Sequence, residues 1–206
     1  MDALSMLKVG LTGGIATGKS HVLDRLQQRG IPCLDADQLA HGATGPGTEA
    51  TAAIAARFGS EVIGPDGGVD RARLGPIVFA DASARRDLEA IVHPAVYRAI
   101  QAGIRAFELV GRYPCVVVDV PLLFETGHAA DFDRVVVTAC GEAQQIERLV
   151  ARGLSEDAAW QRVRAQLPTA DKVAKADFVI RTDGSFEDTD RQIDDVVAIL
   201  TKSLPL

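Results

Sequence analysis

Asparagine occurs nowhere in the 206-residue chain. The guanine-reading pattern Asn-Lys-x-Asp is therefore excluded, and a GTPase with it. Cysteine is scarce: Cys33, Cys115 and Cys140 are odd in number, far apart and set among mostly apolar or small neighbours. That suits neither a disulfide framework nor a metal site and predicts reduced thiols in or near the core. Long apolar runs are missing, none approaching the roughly 20 residues that cross a bilayer. Met1 to Lys8 lacks a basic stretch followed by an apolar one, so no membrane partner and a cytoplasmic address are expected. Cations are in the minority, with 22 Lys and Arg against 28 Asp and Glu for a formal charge of −6. Such a field repels polyanions, and nucleic acid is not expected as a partner. No internal repeat or low-complexity linker divides the chain.

What is present reads as an ordinary globular protein, 47% apolar and 24% charged. The length allows one α/β core with a modest insertion and leaves little room for the further domains of a mechanical or transport ATPase. Leu7 to Thr12 is a short apolar run ended by a glycine pair, the pattern of a buried parallel strand. Ser20 to Arg29 carries apolar Val22, Leu23 and Leu26 and stops at Gly30, as a helix does. Further strands are predicted over Ile31 to Leu34, Pro114 to Val120, Asp133 to Thr138 and Asp177 to Arg181. Helices are predicted over Thr51 to Phe58, over Arg71 to Leu109 with interruptions at Pro76 and Pro94, and over Glu142 to Arg152 before Gly153. Another runs from a Ser155 cap to about Leu167, and a last one follows Ser185, whose Asp188 makes a capping box. Five strands interleaved with helices predict an α/β fold with a parallel, doubly wound sheet, and the strandless middle region is a helical insertion on one edge.

Gly13-Gly14-Ile15-Ala16-Thr17-Gly18-Lys19-Ser20 satisfies G-x-x-x-x-G-K-[ST] between a predicted strand and a predicted helix, the context its mechanism demands. Glycines let backbone N–H groups turn inward around phosphate oxygens, and the helix start adds a favourable dipole. Lys19 would reach the β- and γ-phosphates of a triphosphate, and the Ser20 hydroxyl would ligate Mg²⁺. A chance match in a glycine-rich turn is the bland alternative, against which the flanking strand and helix stand. The pattern is silent on what receives the phosphate.

Asp119 closes the run Val116 to Val118 and has two readings: the carboxylate that P-loop enzymes keep near their metal, or a strand-end Asp holding the turn before Pro121. Asp37 follows the second strand at the carboxyl edge of the sheet, where doubly wound folds bind ligands. It is the candidate general base, placed to take the proton of an acceptor hydroxyl; the alternative is that Asp37 or Asp35 only N-caps the next helix, a reading that for Asp35 stands level with a functional one. Arg148 and Arg152, four apart, share a helix face with a flexible exit at Gly153. They either neutralise a transferring phosphoryl group or form a solvated basic face. Together these residues predict a kinase for a small-molecule hydroxyl, with a cationic lid to exclude water.

Gly10-Leu-Thr-Gly-Gly-Ile15 runs into Gly18-Lys-Ser20, and Asp35-Ala-Asp37, Ile91-Val-His93-Pro94 and Val120-Pro-Leu-Leu-Phe-Glu125 follow. With Arg148, Arg152, Gln166, Lys172 and Ala176-Asp177-Phe-Val-Ile180 in the same order, the chain resembles the dephospho-CoA kinase family from about Val9 to Ile199. The resemblance implies a P-loop NTPase-like three-layer fold with a five-stranded parallel sheet, a single domain over 1–206 with a helical dephospho-CoA-binding insertion at 48–110 and a helical lid at 142–167. It implies transfer of a phosphoryl group from ATP, with Mg²⁺, to the ribose 3′-hydroxyl of dephospho-CoA, and Asp37 as the base. By the same resemblance Gly14, Ile15, Ala16, Thr17, Gly18, Lys19, Ser20, His21 and Arg152 would meet ATP, with Lys19 and Arg148 serving the transfer. Thr12, Asp37, His93, Pro94, Leu122 and Phe124 would line the acceptor side, and Ser20 and Asp119 would serve the metal.

The chain departs from the family at Ala16, usually Gly, at Thr17, often Ser, and at His21, often Thr. None of these removes a needed N–H, lysine or hydroxyl. Arg181-Thr182 stands where Asp-Asn is common, so no adenine contact is carried over to Thr182. Two rivals remain: another P-loop small-molecule kinase, such as one for nucleoside monophosphates, and a regulatory protein that binds ATP without turnover. The intact Lys19, Ser20 and Asp37 oppose the second, and Val120 to Glu125 opposes the first.

Overall fold

β-Branched runs make the strands at the centre of the molecule, whose computed structural model describes residues 6–202. β3 (Cys115–Asp119) is buried at every position and β4 (Arg134–Ala139) at all but the first, as strands covered on both faces must be. With β1 (Leu7–Gly13), β2 (Cys33–Asp35) and β5 (Phe178–Arg181) they form a five-stranded parallel sheet in the order β2-β3-β1-β4-β5. The register sets Leu11 opposite Asp119 on one side of β1 and Gly13 opposite Thr138 on the other. The chain leaves β1 toward one edge first and fills the other later, so the carboxyl end of β1 is a topological switch point, where ligands of such sheets bind.

One face of the sheet is covered by α1 (Lys19–Gln28) and α9 (Phe186–Thr201), whose Val22, Leu26, Ile193 and Val196 meet Val9, Leu11, Val117 and Ile180. Gly10 points to the other face, where Leu123 and Phe132 close over it; a Cβ there would come within 2.9 Å of Leu123 Cδ2. The predicted Ser185–Asp188 capping box opens α9. Ser155 caps α7 (Glu156–Arg164), which follows α6 (Glu142–Ala151) after a turn through Gly153. α7 stops at Arg164 rather than at about Leu167; Leu167 itself is kept out of the helix by the following Pro168 and gives its N–H to Glu125. A short helix absent from the sequence reading, α8 (Thr169–Val173), comes next.

Residues Asp35–Arg105 form a second compact unit. It holds α2 (Ala36–Ala43), α3 (Glu49–Phe58), α4 (Arg71–Ala80) and most of α5 (Ala82–Val110), around a core of Ile54, Phe58, Val62, Leu74 and Ala84. The expected interruptions at Pro76 and Pro94 do not occur: α4 runs through one and α5 through the other. The break falls at Asp81, which is extended (φ −126°, ψ 113°) and accepts the Ser83 N–H at 2.7 Å. A proline inside a helix costs ~3 kcal/mol. Burial of Val96, Ile100 and Ile104 in α5, each worth about 1.5–3 kcal/mol, outweighs that cost. Ile63 and Val69 make an antiparallel bridge where no strand is predicted.

Candidate active site

β1 ends at Gly13, and the chain turns through Gly14 to Gly18 before α1 begins at Lys19. Gly13 has no room for a side chain, since a Cβ would stand 2.1 Å from Thr138 Oγ1 and 2.7 Å from the Thr138 carbonyl oxygen. Gly18 is left-handed (φ 82°) and caps α1 without a side-chain acceptor, and the first turn carries no acidic residue. The positive end of the helix and its leading N–H groups are thus left to an external anion. Ala16 is the one non-glycine residue at positive φ (60°) among the described residues, a conformation that costs about 1–2 kcal/mol in an L-residue.

Contacts from distant parts of the chain hold this loop. Thr17 Oγ1 donates to the Gly14 carbonyl at 2.7 Å and lies 2.7 Å from Thr138 Oγ1. A carbonyl can only accept, so the single Thr17 proton goes to Gly14 and Thr138 supplies the proton of the second bond. Thr182 Oγ1 donates to the Thr17 carbonyl (2.8 Å), and Gln145 Nε2 to that of Ile15 (2.6 Å). Gln166 Oε1 accepts the Ile15 N–H at 2.8 Å. Arg148 donates to the Ala16 carbonyl (3.1 Å), to Thr182 Oγ1 (3.1 Å) and to the Thr182 carbonyl. Its guanidinium is therefore bonded into the loop rather than solvated. The side chains of Ile15 and Ala16 pack on Ile146, Leu149, Ala159 and Trp160 of α6 and α7.

These groups wall a cleft of about 550 Å³ above the carboxyl end of β1. Ten of the sequence-predicted residues line it: Gly14, Ile15, Ala16, Thr17, Gly18, Lys19, Ser20, His21, Arg148 and Arg152. Lys19 Nζ pairs with Asp119, which is buried at the end of β3. His21 Nε2 lies 3.0 Å from Asp190 on α9, which also holds Arg25, and its ring meets that of Phe186 at 4.8 Å. Partial burial by itself would raise the Asp190 carboxyl, but the bonds from Arg25 and His21 outweigh it and bring it below the ordinary range. Thr12 lies under the cleft floor, its hydroxyl donating to the Pro121 carbonyl at 3.1 Å. Leu122 is exposed, and Phe124 sits under the Lys175 ammonium at 5.8 Å.

Asp37, His93 and Pro94 belong to the second unit. Asp35 turns out to be a cap: its Oδ1 accepts the N–H groups of Asp37 (2.8 Å) and Gln38 (3.0 Å) at the start of α2. Asp37 occupies the first turn of α2 with its side chain exposed. His93 lines a mostly apolar cleft of about 270 Å³ with Arg71, Leu74, Val78 and Val92. The cysteines are free thiols, and burial pushes Cys33 up to about 12 and Cys115 up to about 11, far from reactive thiolates.

Sequence reasoning missed several residues of the site. Thr182, set aside as an adenine contact, is a brace for Thr17 and Arg148, and Phe186, 70% exposed, forms one wall. Thr138 and Gln145 likewise grip the loop. A polar residue at the end of an apolar strand was the available signal for Thr138 and Thr182. Gln145, inside a helix, gave none.

A family model described as dephospho-CoA kinase matches residues 7–188. The chain is 49% identical over 183 residues to the dephospho-CoA kinase of Anaeromyxobacter dehalogenans (strain 2CP-C), covering 88% of this chain and 86% of that protein. It is 44% identical over 193 residues to the dephospho-CoA kinase of Shouchella clausii (strain KSM-K16), with 93% and 98% covered. Among solved structures it is similar to TT1252 from Thermus thermophilus, at a TM-score of 0.79 and 35% identity over 95% of this chain and 98% of that one.

Proposed function

The chain belongs to the dephospho-CoA kinase family, and from that premise we propose that it transfers the γ-phosphoryl group of ATP to the ribose 3′-hydroxyl of dephospho-CoA, giving coenzyme A and ADP. The observation that carries this reading is the cleft itself: a glycine loop between strand and helix, with uncapped N–H groups, a lysine and two arginines converging on one space. The N–H groups and the α1 dipole bind phosphate oxygens. A γ-phosphate competes with Asp119 for the Lys19 ammonium, and Arg152 adds positive charge at the lid side. Arg148 orients the loop through the Ala16 carbonyl while it faces the same cleft.

Asp37 takes the proton of the acceptor hydroxyl, and His93, Pro94, Leu122 and Phe124 belong to the acceptor side, which the fully buried Thr12 serves through its bond to the Pro121 carbonyl. The helical unit binds dephospho-CoA, and residues 142–167 act as the lid that keeps water out. The Ser20 hydroxyl and the Asp119 carboxylate are hard oxygen donors of the kind Mg²⁺ takes, and both stand at the carboxyl edge of the sheet. When bound there, Mg²⁺ supplies charge neutralisation on the phosphate oxygens. Consumption of ATP goes with a cytoplasmic enzyme.

A coupled ADP-release assay with dephospho-CoA and with nucleoside monophosphates tests the reading. ADP release with dephospho-CoA alone is expected. Release with a nucleoside monophosphate in its place moves the chain to another kinase activity, and release with neither makes it a nucleotide binder.

A further inference from the structure

Lysine is rarely buried without exposed surface, yet Lys172 on α8 is 0% exposed and the largest fully buried side chain among the described residues. Its ammonium has three protons and meets three oxygens: Glu125 Oε1 at 2.8 Å and the carbonyls of Gly13 and Pro121 at 3.5 Å each. Those oxygens come from two different places in the site. Gly13 is where the phosphate loop departs from β1, and Pro121 and Glu125 bracket the segment after β3 that carries Leu122 and Phe124. The two places are also joined by the Thr12 hydroxyl on the Pro121 carbonyl. Glu125 Oε1 accepts the Leu167 N–H as well (3.0 Å), which ties the carboxylate to the stretch leading into α8. Burial alone would raise the Glu125 carboxyl, but the Lys172 and Leu167 bonds overcome it and keep the group below its ordinary range.

Lys172 is buried while Glu125 keeps some exposure, and an ion pair with a desolvated partner is a poor device for stability, since apolar residues of similar volume are often as stable or more so. Neither group binds phosphate or moves a proton in the reaction proposed above. What the pair does supply is a fixed distance between two backbone carbonyls. We propose that Lys172 and Glu125 are positioning residues: the buried ammonium fastens the root of the phosphate loop at Gly13 to the Pro121–Glu125 segment, so that the phosphoryl donor is held in register with the acceptor-side residues. The inference rests on the kinase reading. Turnover depends on the pair far more than nucleotide binding does, because the loop backbone is separately held at the carbonyls of Gly14, Ile15 and Thr17 by Thr17 Oγ1, Gln145 and Thr182.

The test is the neutral double variant K172M/E125Q, which leaves no orphaned charge, with E125Q alone as the second variant, which keeps volume and an acceptor for Leu167 but takes the counter-charge from Lys172. For the double variant, kcat with dephospho-CoA should fall about 10- to 100-fold, as misplacement by an ångström costs, while the ADP Kd stays within about threefold of wild type. Wild-type kcat well below the melting temperature, whatever the change in Tm, makes the pair merely structural and overturns the proposal. A parallel loss of ADP affinity overturns it too. If the double variant does not fold, E125Q is read by the same two outcomes. Amide ¹⁵N resonances of Gly13, Gly14 and Leu122 separate this idea from the functional reading. All three should shift in E125Q, and a shift confined to one segment counts against the link even if wild type proves inactive on dephospho-CoA.

Discussion

Replacing Thr17 by Val removes one buried hydroxyl and almost no volume, so its consequence can be worked from two contacts. Thr17 Oγ1 donates to the Gly14 carbonyl and accepts from Thr138 Oγ1, both at 2.7 Å, in a position that is 1% exposed. Each such bond contributes about 1 kcal/mol net, and both are lost, which gives a destabilisation of about 2 kcal/mol. The Gly14 carbonyl keeps the Thr17 N–H at 3.2 Å, and Thr138 keeps a long contact of 3.4 Å to the Thr12 carbonyl, so the cost stays at that level rather than above it. For a chain of this length the loss lowers Tm by about 4–8 °C. Thr138→Val removes the bond between the hydroxyls together with the long contact to the Thr12 carbonyl and costs about 1 kcal/mol. In the double variant that bond is counted once, so its loss falls short of the sum of the singles by about 1 kcal/mol. Thermal and urea unfolding of the four proteins give the cycle directly, and Thr17→Ser, which keeps the hydroxyl and drops a methyl worth about 0.8 kcal/mol, is the control. A wild-type Tm for T17V, or a double variant whose loss equals the sum, would refute the assignment of these hydroxyls as the loop's brace.

Asp37→Asn should lower kcat by about 10²- to 10⁴-fold with ADP affinity unchanged in calorimetry, and undiminished turnover would remove Asp37 from the role of base. Gly13→Ala must displace Thr138, whose Oγ1 and carbonyl lie 2.1 and 2.7 Å from the new Cβ. It should cost about 1–3 kcal/mol of stability and weaken ADP binding, and a protein that melts and binds ADP like wild type would contradict the packing described. For Glu125, whose carboxyl is depressed below its ordinary 4.5, the stabilisation is complete above that value and is lost as pH falls through the folded-state value. The Tm gap between wild type and E125Q should therefore be constant from neutral pH down to 4.5 and shrink below it; a gap that widens with acid would reverse the sign of the shift.

Signals that act over a few residues are legible in the sequence. The Ser185–Asp188 box, the Ser155 cap, the β-branched strands and the strand–glycine–helix passage at Gly13 to Ser20 all form where local chemistry predicts them. Asp35 and Asp37 could not be separated that way, since both sit within reach of the same helix start; only the bonds from the Asp37 and Gln38 N–H groups assign the cap. Pro94 misled because a local penalty is outweighed by burial along a long helix. The contacts that set the phosphate loop, Thr17 with Thr138, Ile15 with Gln166 and Lys172 with Gly13, join residues more than a hundred positions apart. No periodicity or spacing encodes them.

Ala16 shows how far a departure from a family pattern can be read once the geometry is known. Its φ of 60° costs about 1–2 kcal/mol relative to a glycine there. Against that, its methyl packs on Ile146, Leu149 and Ala159, a burial worth about 0.8 kcal/mol. Alanine also gives up less chain entropy on folding than glycine, by about 0.4–1 kcal/mol. The opposing terms agree to within about 1 kcal/mol, so the position accepts either residue. The substitution was tolerable here because α6 and α7 offer the methyl an apolar surface; the same change in a loop open to solvent would leave the strain uncompensated.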